Sequence, residues 1–505
     1  MNRYQEMYQQ KKMTAEQALE LIQDGDYMFS AQAAGEPQAI LSKLQHLKKT
    51  GVKGTTLNTC LPLQYYDVMK DPDMKGIMDH SGWFFNAGLR DAQKKKLVSA
   101  VPQSSTSILR KTLQRLNYEG RRPVVMATVS PMDVHGYFSL SISAIYERDL
   151  IDRGALVLLE VNPNFPRTFG DTQVHISEVG ALVESDRPIP TAKLAPYTAV
   201  DQKIGEYVAS LVEDGSTIQL GIGNIPNAVA KELRSKRHLG IHTEMFTETM
   251  VDLIECGAVD NSQKGLLNGY SVCSFTMGSQ RLYDYVNNNP SVLFKSCTFT
   301  NDPYTIGKNN KFVSVNASLE IDLTGQCASE TVGNLQWSGT GGQSETVQGS
   351  QMSPGGKAAH CHLVGPEAQL RGVGPHPGQS GRPLQELPGP EGGQHTVGQH
   401  KGLYPCGQKG QGHRLSLRRG NALVSPAGED QHRPPRPVVG QQAGAAPAVY
   451  VQPRLRGAPA QRRMELIQRD PSAEHARHPF PIHFDPSIPA GFPFEKGKIK
   501  KSIDK

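Results

Sequence analysis

No apolar run in this 505-residue chain approaches the ~20 residues that a membrane-spanning helix requires, and the longest, such as Ala155 to Leu159, are strand-sized. The opening stretch MNRYQEMYQQKK has charges but no apolar core behind them, so it does not read as a secretory signal. Cysteine is scarce and scattered. The seven residues (Cys60, Cys256, Cys273, Cys297, Cys327, Cys361 and Cys406) form no C-x-x-C pair, which argues against a disulfide framework and against a zinc site. A reducing cytoplasm is the expected compartment. A basic arm and an aromatic-basic ladder are also missing, and a net charge of +6 over this length gives no indication of nucleic acid or a membrane as partner.

One further absence is local. Residues 351–460 contain no Ile, Phe or Trp, yet hold 20 of the 50 glycines and 15 of the 35 prolines. A segment so poor in large apolar side chains cannot offset an ordering entropy of ~1–2 kcal/mol per backbone residue. It is expected to be largely disordered.

What is present before it is α/β grammar. Thr14 and Gln17 form a capping box ahead of a helical stripe of Ala15, Ala18, Leu19 and Ile22, and Gly25 stops it. Asp26 to Ser30 then reads as a buried strand, and Pro37 opens another helix. The same order returns later. Ile204, Val208 and Leu211 form a helical stripe, Ser216 to Leu220 a strand, GIGNIP a turn, and Pro226 opens the next helix. The helix starts PQAILSKL and PNAVAKEL share Pro, Ala and the final Leu. Two similar open-sheet α/β domains are expected, with a join near Ala195–Gln202; a chance likeness between common α/β units remains the alternative. Pro123 to Val129 and Ala155 to Val161 are candidate strands of a parallel sheet.

Three short stretches could carry chemistry. The turn from Gln219 to Pro226 lies between a strand end and a helix start, where glycines allow close backbone approach and the helix terminus favours anions. It is neither a G-x-G-x-x-G fingerprint nor a phosphate loop ending in Lys-Ser/Thr. The stretch GIHTEMFTETMVDLIECG from Gly240 places a glutamate before an amphipathic helix. WSGTGGQ, Trp337 to Gln343, strings small residues whose backbone N–H groups suit a developing oxyanion. Each taken alone also fits a plain structural role.

Together, and in this order, they resemble the acetyl-CoA hydrolase/transferase family. The matching stretches are VSPMDVHGYFSLS (Val129 to Ser141), EVNPNFPRTFGD (Glu160 to Asp171), GIGNIPNAV, GIHTEMF, VSVNASLEIDLTGQ (Val313 to Gln326), SGTGGQ and SPGGK (Ser353 to Lys357). The resemblance covers roughly the first 357 residues. It implies a CoA-transferase-type fold with an N-terminal domain over 1–195, a C-terminal domain over 196–357 that is cut short, and an aberrant segment over 358–505.

By resemblance, the glutamate of the H-[ST]-E-M motif, Glu244, is the nucleophile. Gln219, Leu220, Gly221, Ile222 and Gly223, with Gly339 and Gly342, correspond to coenzyme-contacting positions, and Asn316 and Lys357 are further carry-overs. The implied activity is acyl-CoA:carboxylate CoA transfer of the acetate, butyrate or 4-hydroxybutyrate class, through a glutamyl-CoA thioester. Acyl-CoA and small carboxylates are the implied partners. Coenzyme A is a substrate rather than a resident cofactor, no metal is needed, and the family habit implies a homo-oligomer. An acyl-CoA hydrolase, an inactive CoA-binding remnant and, more distantly, a sugar-phosphate isomerase are the alternatives.

The chain also departs from the pattern. Thr247-Glu248-Thr249 replaces the S/T-D-G that often follows the nucleophile, and Asn224 stands where a second small residue is usual. After Lys357 the sequence AAHCHLVGPEAQLRGVGPHPGQSGRPLQ no longer follows the family. Its Gly/Pro/Arg/Gln/His bias is that of a GC-rich coding sequence read out of frame. Resequencing the coding DNA tests this frameshift hypothesis, which fails if neither other frame past codon 357 encodes family-like strands.

Overall fold

The computed structural model describes residues 2–192, 196–221, 223–322 and 326–364, together with three short backbone strands at Asn421–Ala422, Val438–Val439 and Ala446–Val451. Residue 195 at the expected join, Ile222 of the expected coenzyme turn, and most of 358–505 lie outside the described residues.

The first half builds a seven-stranded, all-parallel sheet. Its strands are β1 (Tyr27–Ser30), β2 (Thr55–Cys60), β3 (Met78–Phe84), β4 (Ser99–Ala100), β5 (Pro123–Val129), β6 (Leu156–Val161) and β7 (Ala181–Glu184). Their order is β7-β6-β5-β1-β2-β3-β4. Buried parallel strands are apolar on both faces, because a crossover helix must cover each side. This sheet follows that rule. Tyr27, Phe29, Val125 and Ala127 enter one core while Met28, Val124 and Met126 enter the other. The expected capping box at Thr14 and Gln17 is present, and Gly25 takes a φ of +74° at the turn into β1.

The second half builds a five-stranded sheet from β8 (Thr217–Leu220), β9 (Gly240–Ile241), β10 (Val313–Ala317), β11 (Lys357–Val364) and β12 (Ala446–Val451), in the order β9-β8-β10-β11-β12. The first four are parallel and β12 is antiparallel to β11. Ile204 and Val208 of the helix Ala199–Leu211 pack on it with Ile218, Leu220, Val313 and Val315. The helix after the glycine turn starts at Asn224, two residues ahead of the expected Pro226.

One boundary differs from the sequence reading. Strand grammar continues past Lys357, since Val315 pairs with Ala359 and Ala317 with Cys361, and Ala358, Ala359 and Cys361 are each 1% exposed. A composition average over 110 residues hides this, because Ala358, Ala359 and Cys361 are small and apolar enough to be buried beside β10.

Both sheets belong to one compact unit. Each reverses its strand order once, between β5 and β1 and between β8 and β10. The crevice beyond the carboxyl ends of the strands at such a reversal is where open α/β sheets take ligands. Among the described residues no helix is long and apolar enough to cross a membrane.

Candidate active site

Glu244 follows β9 and is held by its own backbone, since its carbonyl accepts the N–H groups of Ser274 at 2.9 Å and Phe275 at 3.1 Å. Three further elements converge on its carboxyl. They are helix α1 (Ser105–Glu119), helix α2 (Cys297–Thr300) with its C-terminal cap Asn301, and the WSGTGGQ loop, which leads into helix α3 (Gln343–Met352).

The side-chain amide of Asn301 donates to Glu244 Oε2, and Ser105 Oγ lies 3.5 Å from the same oxygen. Gly342 faces both groups: a methyl in place of its hydrogen would fall on the Asn301 nitrogen and the Glu244 carboxyl. Glycine is needed here for proximity rather than for backbone freedom, because φ is −101°.

The loop is fixed by the first half of the chain. Helix N-termini leave N–H groups without intrahelical partners, and here the second half supplies two of them. Ser105 N–H donates to Gly341 O at 3.0 Å, and Thr106 N–H donates to Glu345 Oε1 at 2.8 Å. Ser104, the cap residue of α1, makes no side-chain capping bond of its own. At the other end of the loop Arg90 donates to Trp337 O at 2.6 Å and stacks on the indole. Gly339 lets the loop lie directly on the backbone of Trp83.

Charge within the site is almost all negative. Burial pushes the Glu244 carboxyl up from 4.5 to about 7; the Asn301 and Ser105 hydrogen bonds pull it back, while the Glu345 carboxylate adds to the rise. Some solvent still reaches the Glu244 side chain. Glu345, 4% exposed, is itself raised by burial, and its Oε2 has no protein partner. The thiols of Cys60 and Cys297 are raised by burial and by the nearby Glu244.

The raised value has a consequence for stability. Between about pH 4.5 and 7 the folded protein keeps the Glu244 proton that the unfolded chain releases, so stability falls as pH rises through that window. The loss is at most about 3 kcal/mol, reduced by the solvent the site admits. Glu244→Gln is therefore expected to raise Tm relative to the parent above pH 7, with the gap closing towards pH 4.5. Thermal unfolding across pH checks this, and a gap that does not vary with pH contradicts it.

The expected coenzyme residues mostly gather in the second crevice. Gln219 Oε1 accepts from Ser314 Oγ at 3.1 Å, Asn316 Nδ2 donates to Ser314 Oγ at 2.8 Å, and Ser314 Oγ lies 2.9 Å from Thr346 Oγ1 on α3. Gly221 N–H reaches Val315 O at 3.3 Å, and Gly223 caps the next helix at a φ of +115°. Leu220 is 1% exposed and joins the core, so only its backbone reaches the crevice. Lys357 stands apart. It pairs with Val313 at the start of β10, away from Asn316, and its ammonium is engaged by Leu211 O and Glu213, both at 2.9 Å. It supports the sheet at the end remote from the site.

Sequence reasoning missed Asn301, Ser105 and Glu345. Asn301 precedes Asp302-Pro303, a helix-start signal, and Ser104-Ser105 reads as a helix cap, so neither stood out as chemistry. Among the described residues no cluster of His, Cys, Asp and Glu is arranged to hold a metal.

Residues 1–194 match the acetyl-CoA hydrolase/transferase N-terminal domain, and residues 278–363 match the C-terminal domain of the same family. Over 358 residues the chain is 40% identical to a succinyl-CoA:cyclohexane-1-carboxylate CoA transferase of Geobacter metallireducens, covering 70% of this chain and 79% of that one. It is 36% identical over 357 residues to a 4-hydroxybutyrate coenzyme A transferase of Clostridium kluyveri, covering 70% and 82%. Among solved structures, RipA of Yersinia pestis aligns with a TM-score of 0.63 at 32% identity over 71% of this chain and 82% of that one. A 4-hydroxybutyrate CoA-transferase of Porphyromonas gingivalis gives 0.56 at 29%, over 70% and 82%. Matched by both domain models of the family and across most of the length of such relatives, the chain belongs to the acetyl-CoA hydrolase/transferase family.

Proposed function

We infer that this protein is an acyl-CoA:carboxylate CoA-transferase that works through a glutamyl-CoA thioester on Glu244. The observation that carries the reading is the enclosure of the Glu244 carboxyl by the Asn301 amide and the Gly342 backbone, beside the crevice where Gln219, Gly221 and Asn316 gather. The names of the relatives in two genera support the reaction class.

The steps follow from the groups. The Glu244 carboxylate attacks the thioester carbonyl of an acyl-CoA, and the CoA thiolate leaves, giving an acyl-glutamyl anhydride. The thiolate then attacks the glutamyl carbonyl and expels the acyl group as a free carboxylate. An acceptor carboxylate attacks the resulting glutamyl-CoA thioester, releasing the thiolate again. The thiolate finally takes the acceptor's acyl carbon, which yields the new acyl-CoA and restores Glu244. A carboxyl raised to about 7 is a more basic nucleophile than an exposed one. In this reading the Asn301 amide, which already donates to Glu244 Oε2, donates to the oxyanion formed on the glutamyl carbonyl, and the loop N–H groups serve the one formed on the acyl carbonyl.

The test is exchange itself. With acetyl-CoA and butyrate, butyryl-CoA should form at the rate at which acetyl-CoA disappears, and hydroxylamine should convert the intermediate to a hydroxamate on Glu244. Acetyl-CoA loss that ignores added carboxylate and yields free CoA would instead mark a hydrolase.

A further inference from the structure

The histidine of the H-T-E-M stretch takes no part in the steps above, although it lies two residues from the nucleophile. We propose that His242 is a positioning residue: its imidazole holds the C-terminal end of α2 so that the next residue, Asn301, presents its amide to Glu244. The inference rests on the reading of Glu244 as nucleophile.

The geometry is a two-point clamp. His242 and Glu244 both reach the end of α2, while the Thr243 hydroxyl between them donates to Met245 O at 3.1 Å. On the facing side, Thr300 and Asn301 are consecutive at the end of α2. His242 Nε2 meets Thr300 O at 2.8 Å, and Glu244 Oε2 meets the Asn301 amide. A carbonyl in the last turn of a helix has no intrahelical donor, and the imidazole supplies one. Because a carbonyl only accepts, Nε2 carries the hydrogen and Nδ1 is the bare nitrogen. Nδ1 has no protein partner.

The surroundings keep this tautomer neutral. His242 is 1% exposed, near the rings of Phe299 and Phe312 at 6.3 and 6.2 Å between centroids. Burial first, and the Lys264 ammonium second, hold its pKa down to about 3. An imidazole that stays neutral across the working range serves as a fixed donor rather than as an acid or base. Misplacement of a catalytic group by about 1 Å costs on the order of 10²-fold in rate, which makes such a clamp consequential.

Two amide replacements separate reach from bulk. Glutamine carries its nitrogen near the position of Nε2, whereas asparagine stops short of Thr300. In the full-length chain, His242→Asn is expected to lower kcat on the order of 10²-fold with KM for acyl-CoA unchanged, and His242→Gln is expected to restore it. Adding His242→Asn to Asn301→Ala should cost little more than Asn301→Ala alone, because both remove one interaction.

A readout independent of turnover is carbodiimide labelling of Glu244 against pH, followed by mass spectrometry. Glu244 is faced by Glu345 on α3, Cys297 on α2, Cys60 at the end of β2 and Ser105 on α1, all untouched by these variants, while Lys264 and Glu147 stand behind His242 and the thiols. Loss of the Asn301 donor should therefore move the labelling midpoint upward in His242→Asn and not in His242→Gln. Equal impairment by both amides, full activity of His242→Asn, or additivity with Asn301→Ala would overturn the proposal. If His242→Asn does not fold, His242→Met, which fills the same slot without a donor, takes its place. Failure of the nucleophile reading would look different, as turnover surviving Glu244→Ala.

Discussion

Glu244→Ala is expected to abolish CoA exchange between acetyl-CoA and a carboxylate acceptor, a fall on the order of 10⁴-fold or more in kcat. In the proposed steps the carboxylate is the group that becomes covalently bonded, so no neighbour can take its place. Glu345 is the other carboxylate nearby, but its Oε1 is committed to Thr106. The fold should tolerate the change, since it removes a buried acid that is uncomfortable as an anion. The hydroxylamine-sensitive adduct should vanish together with turnover, and Tm above pH 7 should not fall. An alanine variant that exchanges CoA at a parental rate would end the mechanism, whatever the family.

How far the sequence revealed this site depends on what each residue's signal was. Glu244, Gln219, Gly339 and Gly342 sit in short stretches whose order along the chain is distinctive, so they could be singled out as candidates from the sequence. The sheets were legible as well, since Pro123 to Val129 is apolar on both faces and became β5 with those boundaries. Asn301 and Ser105 were not, because an Asn before Asp-Pro and a Ser at a helix start have ordinary local explanations. Their role exists only once α1, α2 and the glycine loop meet, through contacts separated by 57 and 139 positions in sequence. Lys357 shows the opposite failure. It lies in a stretch that matches the family, yet its place at the beginning of β11 sends its ammonium to Glu213.

The cross-layer capping of α1 explains why the loop needs the whole fold. Ser105 N–H and Thr106 N–H are satisfied by Gly341 and Glu345, so the first sheet's helix and the second sheet's loop position one another. A carboxylate at a helix N-terminus is also favoured by the helix dipole, typically by about 0.3–1 kcal/mol at exposed sites. Glu345 thus couples the enclosure of Glu244 to the packing of the two halves.

Gly342→Ala should be the most damaging single-atom change in the site that leaves Glu244 in place. The backbone at 342 has φ −101° and ψ 5°, which alanine adopts without strain, so the cap of α3 should survive. The added methyl, however, falls where the Asn301 nitrogen and the Glu244 carboxyl now meet. Neither partner can retreat easily. Asn301 N–H is bonded to Cys297 O at 3.0 Å, and the Glu244 carbonyl is held by Ser274 and Phe275. The loop is equally confined, because Gly341 O is tied to α1 and Gly339 lies on Trp83. The methyl must therefore break the Asn301–Glu244 hydrogen bond or displace the loop, and in the proposed mechanism either outcome removes an oxyanion donor. A loss on the order of 10²–10³-fold in kcat is expected, with Tm changed by only a few degrees. Steady-state exchange rates and thermal unfolding of the same preparation check both halves. Near-parental kcat would show that the loop can move away from Glu244, and the oxyanion role assigned to it would then be wrong.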